Sequence, residues 1–268
     1  MSVEESNPPN SADLPEGSSP ADRREFLQQC LTAAPLLLAV FRIAQGEAEG
    51  AEEGSYRPQE HFYGMGIDIK KCIGCGRCVD ACKTENNVPR EPFYFRTWVE
   101  RYVITTEGET IVTSPNGGGE GFPSTVSEKG IRRTFFVPKL CNHCASPPCV
   151  QVCPVWATFL SQDGVVLVDK DYCIGCRYCI QACPYGARFL DPTSHTAEKC
   201  TFCYHRVVKG KSPACVEACP NGARIFGEVR GWSSPLARFT RFNEIQVLKS
   251  HLNTEPKVYY ANLDGEVR

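Results

Sequence analysis

Sixteen of the 17 cysteines fall into four groups of four, and their spacing limits the chain more than any other feature. The most regular group is CIGCRYCIQACP, in which Cys173, Cys176, Cys179 and Cys183 are followed by Pro184. Three cysteines at successive C-x2-C gaps let one tight loop reach three corners of a single iron–sulfur cube. The fourth sits on a helix and points away, toward a second cube. One such run therefore cannot complete its own site, and partner runs must exist elsewhere. Cys72, Cys75, Cys78 and Cys82 repeat the spacing, with Lys83 in place of the proline. Cys141, Cys144, Cys149 and Cys153 lengthen one gap to four residues and end in Pro154. Cys200, Cys203, Cys215 and Cys219 lengthen it to eleven and end in Pro220. Only Cys30 is left over. Four groups predict four [4Fe-4S] clusters, held in two two-cluster units.

Structural zinc also uses paired C-x2-C motifs. It rarely uses three cysteines at successive two-residue gaps followed by a lone cysteine and proline. A disulfide scaffold is less favoured still. A chain of 268 residues with 42% hydrophobic content is large enough for a core, and C-x2-C neighbours are poorly placed to bridge several partners. The net charge is −2, which gives no nucleic-acid signal. An enzyme with its own substrate site is also disfavoured, so no catalytic residue is expected. There is no glycine-rich nucleotide loop and no C-x-x-C-H haem site. His61, His143, His195, His205 and His251 are scattered, and His143, between two ligand cysteines, is expected to make a hydrogen bond rather than bind metal.

Residues 1–20, rich in Ser, Pro, Glu and Asn, are expected to be disordered. Arg23-Arg24, then Phe26-Leu27 and an apolar run over 30–41, resemble a twin-arginine export signal. The run is too short to span a bilayer. The competing reading is an incidental arginine pair before a core helix. Export of a folded chain suits a protein whose clusters are assembled in the cytoplasm. Cys30 would then leave with the signal. Ile67 and Ile69 alternate with Asp68 and Lys70, predicting a short strand that feeds the first loop. Gly74 and Gly76 are expected to bend the backbone around the cluster.

Residues 85–139 hold no cysteine and read as a β-rich insertion, with strands over 93–104, 109–114 and 131–137. Phe93, Tyr94, Phe95 and Trp98 either line the core or form a docking surface. Gln162-Asp163-Gly164 predicts a turn before a strand over 165–168. After each Cys-Pro the chain repeats a pattern: two residues, an alanine, one residue, then an apolar residue. The alanines are Ala157, Ala187 and Ala223, small where the chain closes on a cluster. The apolar residues Phe159, Phe189 and Ile225 are expected to shield the cubes from water, one lever on reduction potential. Ser234-Pro235 predicts a helix start. Leu236, Phe239, Phe242 and Ile245 then predict an amphipathic helix over 235–249, packed on the domain or lying on a membrane. Residues 257–260 read as a strand.

The segments CIGCGRCVDACK, CNHC…CVQVCP, CIGCRYCIQACPYGARF and KCTFC…PACVEACP, with the tail TEPKVYY, resemble the four-cluster ferredoxin-type electron-transfer subunits. These include the B chains of dimethyl-sulfoxide, tetrathionate and polysulfide reductases and the exported iron–sulfur subunits of nitrite- and sulfite-linked quinone-interacting complexes. The resemblance spans roughly residues 61–262. It implies an α+β fold of two intertwined bacterial two-cluster ferredoxin-like units with a β-rich insertion and a C-terminal helix. The expected segments are an N-terminal signal region (1–53), a first ferredoxin half (54–84), the insertion (85–139), a complete two-cluster unit (140–190), the second half of the first unit (191–230), and a helix and tail (231–268). The resemblance also implies the iron ligands. One cluster would use Cys72, Cys75, Cys78 and Cys219; the second Cys82, Cys200, Cys203 and Cys215; the third Cys141, Cys144, Cys149 and Cys183; the fourth Cys153, Cys173, Cys176 and Cys179. Lys83 departs from the family pattern but leaves the ligand in place. The implied partner is a polytopic quinone-binding membrane subunit, with a molybdopterin chain or multihaem cytochrome as a further redox partner. The implied location is the periplasm, peripheral to the membrane.

Overall fold

A computed structural model of the chain describes residues 56–91, 93–123 and 130–267. The export-signal and disorder expectations therefore lie outside the described residues. In chain order the regular elements are β1 (Tyr63–Asp68), α1 (Arg77–Glu85), β2 (Thr97–Thr105), β3 (Thr110–Thr113), β4 (Ile131–Leu140) and α2 (Pro148–Gln151). Then come β5 (Thr158–Leu160), β6 (Val166–Val168), α3 (Tyr178–Gln181), β7 (Arg188–Leu190), β8 (Ala197–Lys199), α4 (Tyr204–Val207) and α5 (Ala214–Glu217). The chain ends with β9 (Arg224–Glu228), α6 (Pro235–Phe242), β10 (Ile245–Gln246) and β11 (Val258–Ala261). This is a mixed α+β architecture of small sheets and short helices.

One pairing rule organises the strands. The strand that follows a cysteine group pairs antiparallel with the strand that precedes the next group: β2 with β4, β5 with β6, and β7 with β8. The ring closes when β9, after the fourth group, pairs with β1, before the first. That last pairing spans the chain and brings residues near 65 and 226 into register. β11 adds to the other edge of β1 in parallel, with Met65 opposite Val258. β1 is thus covered on both edges and buried along its whole length. Its sequence reads as alternating only at its end, and the strand stops at Asp68, before Ile69. Met65, Ile67, Val258 and Tyr260 are fully buried in the main core. Each such apolar side chain contributes roughly 1.5–3 kcal/mol by leaving water.

Three helices that carry cysteines stop where proline follows the last ligand, at Pro154, Pro184 and Pro220, and each is four residues long. Proline has no N–H and clashes with the preceding turn. Lys83 removes that stop, and α1 runs on for nine residues. The lysine then does more than permit the helix. Its Nζ, buried, donates to the carbonyls of Pro89, Arg90 and Glu91 at 3.0, 3.3 and 3.2 Å. It also lies 4.3 Å from the Phe95 ring centroid. We expect Lys83→Met to lower stability by about 2–3 kcal/mol, since charged donors make the stronger hydrogen bonds. Urea unfolding of the iron-loaded protein checks this, and an unchanged midpoint would show that residues 89–91 are held by other contacts.

Two predicted elements differ in extent. The first insertion strand begins at Thr97 rather than at residue 93. Phe93 has a φ of 82° and is 87% exposed, while Phe95 and Trp98 pack against the core. The aromatic run therefore divides between surface and interior. The C-terminal helix ends at Phe242, not 249. Ser234 caps it as expected, accepting from the Ala237 N–H at 3.1 Å. Asn243 takes an extended conformation and its side chain donates to the Phe239 carbonyl. Ile245 is then drawn into β10, paired with Ala261. Phe242 is consequently 77% exposed rather than packed.

Candidate metal centres

The first cysteine loop forms where β1 ends. Asp68 accepts the N–H of Lys70 and closes a tight turn. Gly76 follows with a φ of 71°, and a Cβ there would meet the Gly118 carbonyl at 2.4 Å. Both the backbone angle and the close approach require glycine. The loop carries Cys72, Cys75 and Cys78 around a cavity, and Cys219 reaches the same cavity from the other end of the chain. It has about 350 Å³ of atom-free space, counting its open mouth. Ile73, Val99, Pro138 and Ala223 supply apolar walls.

The remaining cysteines sort by which thiols sense one another's charge. Cys82 neighbours Cys200, Cys203 and Cys215, and Asn86 Nδ2 lies 3.6 Å from the Sγ of both Cys82 and Cys203. Cys144 neighbours Cys141, Cys149 and Cys183. α2, which carries Cys149 and ends just before Cys153, packs on α3, which carries Cys179, so the third and fourth cysteine groups meet at these two helices. The groups also run together. Cys215 senses Cys78 of the first set, and Cys200 senses Cys141 of the third. Cys75 and Cys176 are the two exposed thiols of the sixteen.

All sixteen described cysteines are free thiols. Among the described residues, no three His, Cys, Asp or Glu side chains gather closely enough to hold a single metal ion. Cys72, Cys75, Cys78 and Cys219 instead line a shared cavity, an arrangement that suits a four-iron cube. Burial pushes Cys72, Cys144 and Cys215 up to about 11, and neighbouring thiols add to the rise. Bare sites at neutral pH therefore hold thiols, and metal must displace the protons. Cys153 runs the other way. Burial would raise it, but the N–H groups of Thr158, Val155 and Ala157 outweigh burial. Further backbone donors reach sulfur at Cys173 (Ala197, 3.3 Å) and Cys219 (Ala223, 3.2 Å). This donor set fits a cluster whose sulfurs carry negative charge.

His143 is fully buried, and its Nδ1 accepts the Val166 N–H at 3.1 Å. Burial, with Lys199, Lys257 and Arg188 nearby, holds it neutral. Its ring stacks on Phe202 at 3.7 Å, so the middles of the second and fourth loops touch. Its hydrogen bond therefore goes to the backbone of β6.

The repeat after each Cys-Pro is shifted by one residue in its meaning. Ala157, Ala187 and Ala223 are buried as expected, but Phe159 is 38% exposed and Phe189 and Ile225 are only half-buried. Side chains alternate along a strand, so the intervening residue faces inward: Thr158, Arg188 and Arg224, all buried. Arg188 Nη2 lies 3.1 Å from Cys149 Sγ, and Arg224 Nη1 lies 3.8 Å from Cys215 Sγ. The only sequence signal was the shared Gly-Ala-Arg after two of the prolines.

Two family models, each described as a 4Fe-4S dicluster domain, match residues 71–157 and 132–229. The chain is 42% identical over 248 residues to the tetrathionate reductase B chain of Salmonella typhimurium, covering 91% of this chain and 89% of that one. It is 36% identical over 286 residues to the Hdr-like menaquinol oxidoreductase iron-sulfur subunit 1 of Archaeoglobus fulgidus, covering 91% and 99%. It is 41% identical over 199 residues to protein NrfC of Escherichia coli, covering 74% and 79%.

Proposed function

Because this chain belongs to the family of ferredoxin-type iron–sulfur subunits built from 4Fe-4S dicluster domains, we propose that its four clusters form a wire between a quinone-interacting membrane subunit and a second redox protein. The chain is an electron-transfer subunit with cysteines for four [4Fe-4S] clusters. The observation that carries the wire is the continuity of the thiol sets, from Cys78 to Cys215 and from Cys200 to Cys141. We assign Cys72, Cys75, Cys78 and Cys219 to the first cluster and Cys82, Cys200, Cys203 and Cys215 to the second. Cys141, Cys144, Cys149 and Cys183 hold the third, and Cys153, Cys173, Cys176 and Cys179 the fourth. When bound, the clusters supply one-electron chemistry. The chain's residues ligate, exclude water and aim N–H groups at sulfur. Exposed Ile73 beside Cys75, and exposed Tyr172, Ile174 and Tyr178 around Cys176, place apolar contact surface at the two ends of the series. The substrate site of the complex sits on another subunit.

The quinone-linked reading draws support from the menaquinol oxidoreductase relative. A second reading, the B chain of a molybdopterin oxidoreductase, is favoured by the similarity to the tetrathionate reductase B chain. Arg23-Arg24 supports export by the twin-arginine pathway and a periplasmic location, held to the membrane through the partner. Among the described residues no helix is long and apolar enough to cross a membrane. Anaerobic purification of the tagged chain from detergent-solubilised membranes tests both readings. We expect about sixteen irons per chain and a polytopic membrane subunit without molybdenum. A co-purifying molybdopterin chain selects the second reading, and a colourless zinc protein defeats both.

A further inference from the structure

Each strand that follows a cysteine group opens on a buried polar side chain: Thr97, Thr158, Arg188 and Arg224. These four form two hydrogen-bonded pairs. Arg188 Nη1 donates to Thr158 Oγ1 at 3.3 Å, and Arg224 Nη2 donates to Thr97 Oγ1 at 2.7 Å. The threonines hold each guanidinium so that its remaining nitrogen faces cysteine sulfur. Lys199 is buried completely, and its Nζ donates to the carbonyls of Val166 and Cys200. Among the described residues, no carboxylate pairs with Arg188, Arg224 or Lys199. A buried cation without a counter-charge is strongly destabilising. For Arg188 and Arg224 the groups in place to balance that charge are the cysteine sulfurs at 3.1 and 3.8 Å.

Their positions follow the order of the sites. Arg224 faces Cys78 of the first set and Cys215 of the second. Lys199 holds the Cys200 carbonyl of the second set, and burial keeps its pKa below the ordinary lysine range. Arg188 faces Cys149, Cys141 and Cys183 of the third set and Cys179 of the fourth.

We propose that Arg224 and Arg188 are positioning charges, Arg224 where the first and second sets meet and Arg188 where the third and fourth meet, each raising the reduction potentials of the two clusters beside it. The inference rests on the four-cluster assignment above. The sign follows from electrostatics: a fixed positive charge favours the state that has gained an electron. Because each charge is shared between two neighbours, it levels the series at that junction. The junction is then not an uphill step caused by one exposed negative site.

The test is an EPR-monitored redox titration of the purified, iron-loaded chain carrying Arg188→Gln or Arg224→Gln. Arg188→Gln is expected to shift the third and fourth clusters by at least tenfold in oxidised-to-reduced ratio at fixed potential, a lowering of 59 mV for a one-electron couple. The first and second clusters stay in place. Arg224→Gln is expected to do the converse. Arg188→Lys and Arg224→Lys keep the charge and should restore most of each shift. If a glutamine chain loses iron, the lysine chain is read alone: its shorter reach predicts a smaller lowering at the same two clusters only. Full iron with unshifted potentials, an equal shift of all four clusters, or lysine chains that fall as far as glutamine chains would overturn the proposal. Absence of iron from the unsubstituted chain would instead overturn the four-cluster assignment.

Discussion

Cys203→Ala is expected to stop electron flow through the chain while leaving both ends of the series loaded. Cys203 is buried at the start of α4 with a φ of 52°. It shares Asn86 with Cys82, although the two lie far apart in sequence. In the ligand assignment above both belong to the second cluster, an inner member of the series. Loss of one ligand should remove that cluster and lower iron from about sixteen to about twelve atoms per chain. Turnover through the complex should fall by more than the roughly 10–100-fold typical of changes around a metal site that spare its ligands. The drop has a simple cause: an outer-sphere wire needs every inner relay. Iron analysis and quinol-linked turnover of the membrane complex check the two halves together. Full iron with normal turnover would remove Cys203 from the ligand set.

Glu198→Gln is expected to destabilise the protein by about 3–5 kcal/mol, the range for breaking one partner out of a buried ion pair. Glu198 is 5% exposed and Arg96 is 8% exposed. The carboxylate receives Arg96 Nη2 at 2.9 Å, Lys170 Nζ at 2.9 Å and the Lys199 N–H at 3.0 Å. Arg96 in turn donates to Asn86 Oδ1 at 2.7 Å, and Asn86 reaches the sulfurs of Cys82 and Cys203. Neutralising Glu198 therefore leaves a buried guanidinium unpaired beside a cluster site. The same pair sets an acid limit. Burial pushes the Glu198 carboxyl up, but Arg96 and Lys170 outweigh burial and hold it below the usual glutamate range. A carboxyl depressed on folding contributes stability above its unfolded pKa of about 4.3. That contribution fades as pH falls through the lower folded value. Urea midpoints of the two proteins should thus differ widely at pH 7 and converge in acid. A midpoint at pH 7 unchanged by the substitution would mean that Arg96 finds another partner.

Local chemistry was legible wherever the answer lay within a few residues. The hairpin at Gln162-Asp163-Gly164, the Ser234 cap and the bend at Gly74 and Gly76 each depend on short-range geometry, and each formed as expected. The reading failed where a distant segment competed. The helix over 235–249 had the right period, but Asn243 closed it early and β11 claimed Ile245 as a strand residue. Lys83 read as a tolerated substitution because the three carbonyls it binds form a loop that no motif describes.

By itself the sequence determined the ligand chemistry. Sixteen cysteines at those spacings point to four four-iron sites, and a loop that wraps three corners of one cube is expected to send its fourth cysteine elsewhere. It also determined that the chain would be a carrier family member of mixed α+β fold. Only the tertiary structure decided which charges stand beside those sites. Arg224 meets Thr97, Arg96 meets Glu198, and Lys199 meets Val166 across sequence distances that no local pattern spans. The physical reason is burial. A cation's effect on a cluster depends on the distance and dielectric between them, and both are properties of the folded packing rather than of spacing along the chain.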